Sequence, residues 1–77
     1  MTPLQDWLDE RQVTQSDLAE VSGVNRSDVS RMVSGSARLR GKLRDYIESK
    51  DAFVVRAQDA HVNKRMEQAR RRLEPAA

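Results

Sequence analysis

Residues 15–35 read QSDLAEVSGVNRSDVSRMVSG, and the punctuation of this stretch predicts two short helices joined by a tight turn. Thr14 offers a hydroxyl N-cap, and Asp17, three residues on, is the acidic partner of a capping box before Leu18 and Ala19 begin an apolar face. Ser22-Gly23 ends that helix. Asn25 then caps a second one, with Asp28 three residues later, and Val29, Met32 and Val33 form its inward face until Ser34-Gly35-Ser36 breaks it. Ala19 is small enough to let the two helices approach. Gly23 supplies the positive φ of the turn, and Val29 anchors the second helix against the first so that its polar side faces out.

Working outward, Thr2-Pro3 sets the start of an earlier helix reaching about residue 12, with Leu4, Trp7 and Leu8 on one stripe. Leu39, Leu43, Tyr46 and Ile47 are spaced for a fourth amphipathic helix, weakened by about 1 kcal/mol at Gly41. Lys50-Asp51 is a candidate boundary between a domain over residues 1–50 and a segment over residues 51–77. In that segment Ala52, Val55, Asp59, Val62, Met66, Ala69 and Leu73 recur with a seven-residue period, which predicts a fifth helix with an adhesive seam. The β-branched and aromatic residues of 52–57 support a short edge strand as the alternative. The expected fold class is all-α, with four or five helices.

A core of this size supplies about 3–5 kcal/mol, so help from self-association is expected. The seam residues Val55, Val62, Met66, Ala69 and Leu73 are the candidate homodimer interface. Asp59 within it must lie at the rim or meet Arg56 or Arg65 of the other copy, since an unpaired buried carboxylate is costly.

Composition excludes several classes of function. The chain has no cysteine and one histidine, His61, so neither a thiolate site nor a metal cluster is expected, and no cofactor. A catalytic set is absent, and the reading is not an enzyme. The longest apolar run, Ala52-Phe53-Val54-Val55, is far short of a membrane span, and the start of the chain lacks a signal pattern, so a cytoplasmic, nucleoid-associated location is expected. No small-molecule ligand is evident. Trp7, Tyr46 and Phe53 are too scattered for a base-stacking platform, and His61 reads as a surface side chain.

Charge is unevenly spread. Residues 1–25 carry one base and five acids, residues 26–50 seven bases and three acids, and residues 51–77 six bases and four acids. The middle third is where a polyanion would dock. A helix about 10–12 Å across fits the major groove of B-DNA, about 12 Å wide.

In combination, Gln15, Leu18-Ala19, Gly23-Val24, Ser27, Val29 and Ser34-Gly35 resemble the helix-turn-helix of the phage Cro and CI repressors and the wider XRE-like family, over residues 4–49. The resemblance implies a Cro/CI-like domain in which Gln15, with Thr14 beside it, contacts phosphate. It also implies that Arg26, Ser27, Asp28, Ser30 and Arg31 face the groove. Many members open the recognition helix with glutamine where this chain has Arg26, so no operator carries over. Arg26 and Arg31 favour guanine, through bidentate bonds to O6 and N7. Arg38, Arg40, Lys42 and Arg44 are placed to serve phosphates. Asp28 is read as a cap ahead of a base reader, and as a group that orients Arg31. The basic tail, Lys64-Arg65 and Arg70-Arg71-Arg72, either grips flanking DNA or is a solvated helix end leading into a disordered stretch over residues 74–77.

The expected function is repression through a double-stranded operator, an inverted repeat bound by a homodimer that occludes a promoter. An antitoxin, a controller or an activator would carry the same motif. The rival class is a protein-interaction module that uses residues 52–73.

Overall fold

The computed structural model describes residues 1–74, and among these every element is a helix. They run α1 (Pro3–Glu10), α2 (Gln15–Ser22), α3 (Arg26–Ser34), α4 (Gly41–Lys50) and α5 (Ala52–Leu73). The strand alternative for 52–57 is overturned, because that stretch forms the first turns of α5. Asp51 provides the reason: its Oδ1 accepts from the backbone N–H groups of Phe53 and Val54 at 3.0 and 3.4 Å, which caps a helix there.

The other caps follow the sequence. Thr2 Oγ1 accepts from the Gln5 N–H and donates to the Val33 carbonyl at 2.6 Å, so one hydroxyl starts α1 and ties it to the end of α3. Thr14 and Asp17 close the capping box of α2. Asn25 Oδ1 accepts from the Asp28 N–H at 2.9 Å at the start of α3. Gly23 and Gly35 end α2 and α3 at φ of +72° and +86°, left-handed values open to glycine at little cost. Gly41 was expected to weaken the fourth helix from within. It is instead the first residue of α4, at φ +64°, where that cost does not arise.

One apolar cluster joins Leu4, Trp7 and Leu8 of α1, Leu18 of α2 and Val29, Met32 and Val33 of α3. Leu39, Leu43 and Ile47 continue it, and Val54 and Val55 complete it from α5. The junction at residue 51 is therefore a change of helix with a shared core on both sides. Residues 1–50 alone would lose Val54, Val55, Gln58 and Val62, all buried. The first half of α5 packs against α1 and α4, whereas residues 63–74 are exposed along their length. Of the terminal stretch expected to be disordered, residues 75–77 lie outside the described residues.

Gln58 is the polar centre of this arrangement. It is fully buried; its Oε1 accepts from the Leu4 N–H at 3.0 Å, and its Nε2 donates to the carbonyls of Met32 and Val33 at 3.0 and 3.5 Å. The first turn of a helix has N–H groups without intrahelical partners and the last turn has such carbonyls, and Gln58 serves one end of each kind.

Replacing Gln58 by leucine keeps the volume and leaves the Leu4 N–H unpaired, while the Met32 and Val33 carbonyls lose one partner each and keep the Gly35 N–H and the Thr2 hydroxyl. Gln58→Leu is expected to lower unfolding free energy by about 1–3 kcal/mol. Urea denaturation followed by circular dichroism measures this, and a change below about 0.5 kcal/mol would deny Gln58 its central place.

Candidate nucleic-acid interface

The outward face of α3 is built by subtraction. Val29, Met32 and Val33 turn into the core, and in a helix of nine residues this leaves Arg26, Ser27, Ser30 and Arg31 exposed on the other side. Asp28 is half-buried and held from both directions: its backbone N–H bonds Asn25 Oδ1, and its Oδ2 accepts from Asn25 Nδ2 at 2.9 Å. Its Oδ1 stands 3.5 Å from Arg31 Nη2, a loose pair on a side chain that is 64% exposed. Asn25 is thus the cap, and Asp28 steadies the Asn25 side chain and weakly orients Arg31, which leaves Arg26, Ser27, Ser30 and Arg31 as the exposed groups.

At the start of α2, Thr14 is exposed and engaged in its capping box. Gln15 is half-buried and donates from Nε2 to Gln5 Oε1 at 3.2 Å. That bond fixes the orientation of its amide at the rim of a crevice shared with Ser34, His61 and Arg65.

The basic residues after α3 divide into two groups. Arg40 and Lys42 are exposed and make no ion pair among the described residues. Arg38 is also exposed, but its Nη1 donates to Asn63 Oδ1 on α5. Arg44, expected to serve phosphate, is occupied: Nη1 and Nη2 bond both oxygens of Asp59 at 3.0 and 2.8 Å, and Nη1 also reaches the Leu39 carbonyl at 3.1 Å. The hydrogen bond it donates to Asp59 is the main cause holding the guanidinium above its ordinary range, with desolvation working against it. A raised basic group keeps its stabilising charge below its ordinary pKa and loses it only as pH climbs past the raised one. The pair is accordingly insensitive to pH from the Arg44 side through the neutral range. Asp59 meets a base of its own chain, and no contact with Arg56 or Arg65 of another copy is needed.

The seam splits in two. Val55 and Val62 are 2% and 1% exposed, closed off within the single chain. Met66 is 39% exposed and Leu73 83%, and Ala69 is exposed between them. The seven-residue period is real, but its first half describes α5 packing on its own chain. Gln58 was not singled out from sequence, although a glutamine between Val55 and Val62, at spacings of three and four on the buried stripe, carried the signal. His61 is half-buried at the crevice and is not a plain surface residue.

Among the described residues no group of three or more histidine, cysteine, aspartate or glutamate side chains could hold a metal ion, and no helix is long and apolar enough to cross a membrane. No protein-family model, curated protein or solved structure matches the chain.

The Arg44–Asp59 pair is about one-third exposed on each side, bidentate, and a bridge between α4 and α5. Arg44→Ala and Asp59→Ala are each expected to cost about 1 kcal/mol, and the double variant little more than either single one. A double-mutant cycle by thermal and urea unfolding tests this; additive losses would show that the two side chains act independently.

Proposed function

We propose that this protein is a sequence-specific double-stranded DNA-binding repressor of the helix-turn-helix class, similar to the Cro/CI type, with α3 as its recognition helix. The observation that carries the reading is the division of α3. One side is locked into the core by Val29, Met32 and Val33, and the other presents Arg26, Ser27, Ser30 and Arg31 to solvent. Such a helix is rigidly mounted, and its free side chains match the chemistry of base edges in the major groove. Gln15 and Thr14 at the start of α2, with Arg38, Arg40 and Lys42 after α3, supply phosphate contacts around it.

The working form in this reading is a homodimer on an inverted repeat, because one short helix reads few base pairs and a two-fold pair doubles that information. The free part of the seam, Met66, Ala69 and Leu73, is the apolar surface left for the second copy. Repression then follows from occupancy, since the bound dimer denies the same DNA to other proteins. Antitoxins and controllers of the same class would bind duplex in the same way.

Selection from a random duplex library is expected to yield an inverted repeat, bound with an affinity that falls steeply as salt rises. Arg26→Ala and Arg31→Ala should each relax preference at one position by about 1–3 kcal/mol, whereas Arg40→Ala should weaken all sequences alike. Fluorescence anisotropy on matched and mismatched duplexes checks this, and uniform losses in all three variants would remove α3 from base reading.

Met66→Glu/Leu73→Glu leaves every core residue in place. It is expected to give a folded monomer in sedimentation velocity, with the loss of most operator affinity. A dimer that survives both substitutions would move the interface elsewhere.

A further inference from the structure

One line of side chains along α5 has no part in the core or in the Met66–Ala69–Leu73 seam. His61, Arg65, Gln68 and Arg72 are spaced by four, three and four residues, so they stack on one edge of the helix, with Lys64 beside them. The line spans roughly 16 Å at about 1.5 Å per residue. Its inner end opens on the crevice where Gln15 of α2 and Ser34 of α3 meet His61 and Arg65, and a shallow depression formed by His61, Lys64, Arg65 and Gln68 continues it outward.

Two observations separate this line from an ordinary solvated helix face. First, it is positioned: Arg65 Nη1 donates to the Ser34 carbonyl at 3.1 Å, which ties the line to the outer end of α3. Gly35 lies beside the line, where a Cβ would stand in ordinary contact with Arg65 Nη1 at 3.5 Å and His61 Cδ2 at 3.6 Å. Second, its charge is uncompensated. Arg70 and Arg71, off the line, are paired with Glu74 and Glu67 at 3.2 and 2.7 Å, whereas Lys64, Arg65 and Arg72 take part in none of the ion pairs among the described residues.

We propose that the line Arg65–Gln68–Arg72, with Lys64, is a second track for the phosphate backbone of the duplex read by α3, lengthening the footprint beyond the base-read half-site. This rests on the duplex-binding reading above. Each nucleotide of a B-DNA strand carries one negative charge, so Lys64, Arg65 and Arg72 can each meet a phosphate of the same backbone. Charges spaced in this way displace counterions and carry no base preference, so the track raises affinity for every sequence and leaves discrimination to α3.

The test uses the full chain and the library-selected duplex in two lengths, one ending at the base-read positions and one extended by a helical turn on each side. Arg65→Gln/Arg72→Gln is compared with Arg70→Gln/Arg71→Gln, which removes the same charge from the paired side. On the extended duplex, the line variant, which removes two charges from each protomer of the bound dimer, is expected to reduce the slope of log affinity against log salt by about 3–4 and to raise Kd about 10-fold; the control should change both by less than half as much. Arg65→Lys/Arg72→Lys should restore the slope, and the line variant should match wild type on the short duplex. Equal effects from the two doubles, or an unchanged slope in a line variant of normal melting temperature, would overturn the track while leaving duplex binding intact. Conversion of the line variant to monomer in sedimentation with its slope unchanged would instead make the line a contact between copies, and also overturn it. A wild-type chain that selects no duplex would remove the function and the track together.

Discussion

The side-chain amide of Gln58 is the constraint on which the rest of the chain depends. A helix of eight residues and another of nine cannot bury much surface, and their ends carry backbone groups that water satisfies only when exposed. Here the start of α1 and the end of α3 converge inside the protein, and an apolar residue from α5 at that point would strand the Leu4 N–H and take one partner from each of two carbonyls. Glutamine has a carbonyl and an amino group on one planar head, so it can accept from Leu4 and donate to Met32 and Val33 together. Thr2 completes the junction with its own bond to Val33. The orientation of α3 is thereby fixed at its far end by hydrogen bonds and along its flank by Val29 and Val33.

The basic residues that follow α3 fall into structural and free groups, and α5 makes the division. Asp59 engages both Nη atoms of Arg44, which takes that arginine out of reach of a polyanion, whereas Asn63 engages only Nη1 of Arg38, which stays exposed. Arg65 reaches back to the carbonyl of Ser34 in the opposite sense. These polar contacts line the side of α5 next to α3 and α4, and they fix how α5 leaves the body. Farther out, α5 is supported along its own length by the Glu67–Arg71 and Arg70–Glu74 pairs.

Much of the local architecture was legible in the sequence. Caps at Thr2, Thr14 and Asn25, stops at Gly23 and Gly35, and the inward set Val29, Met32 and Val33 all rest on interactions within a few residues, which the chain states directly. What was not legible involves partners distant in sequence. The heptad Val55, Val62, Met66, Ala69, Leu73 has one period and two destinations, because periodicity reports that a face is apolar and is silent on what covers it. The same holds for Asp59, whose need for a base was plain and whose partner, Arg44, is fifteen residues back on a different helix. Gly41 shows the reverse case, since an offset of a few residues in the start of α4 turned an expected defect into a suitable first residue. Among the candidate DNA-facing residues, exposure on α3 could be foreseen from the spacing of Val29, Met32 and Val33, while the half-burial of Gln15 and its bond to Gln5 required the packing of α1 against α2.

Asp51 divides its two oxygens between two tasks, with Oδ1 on the first N–H groups of α5 and Oδ2 accepting from Trp7 Nε1 at 3.2 Å. Trp7 is the sole tryptophan of the chain, is nearly buried, and has the Arg11 guanidinium 4.2 Å from its ring centre. The indole is thus wired to the seating of one helix on another. Its emission colour and lifetime are an optical gauge of whether α5 is docked, native to the protein and free of any attached dye. The gauge sits at the end of α5 remote from the overhanging basic line, so it reports on the seating of α5 and not on its overhang.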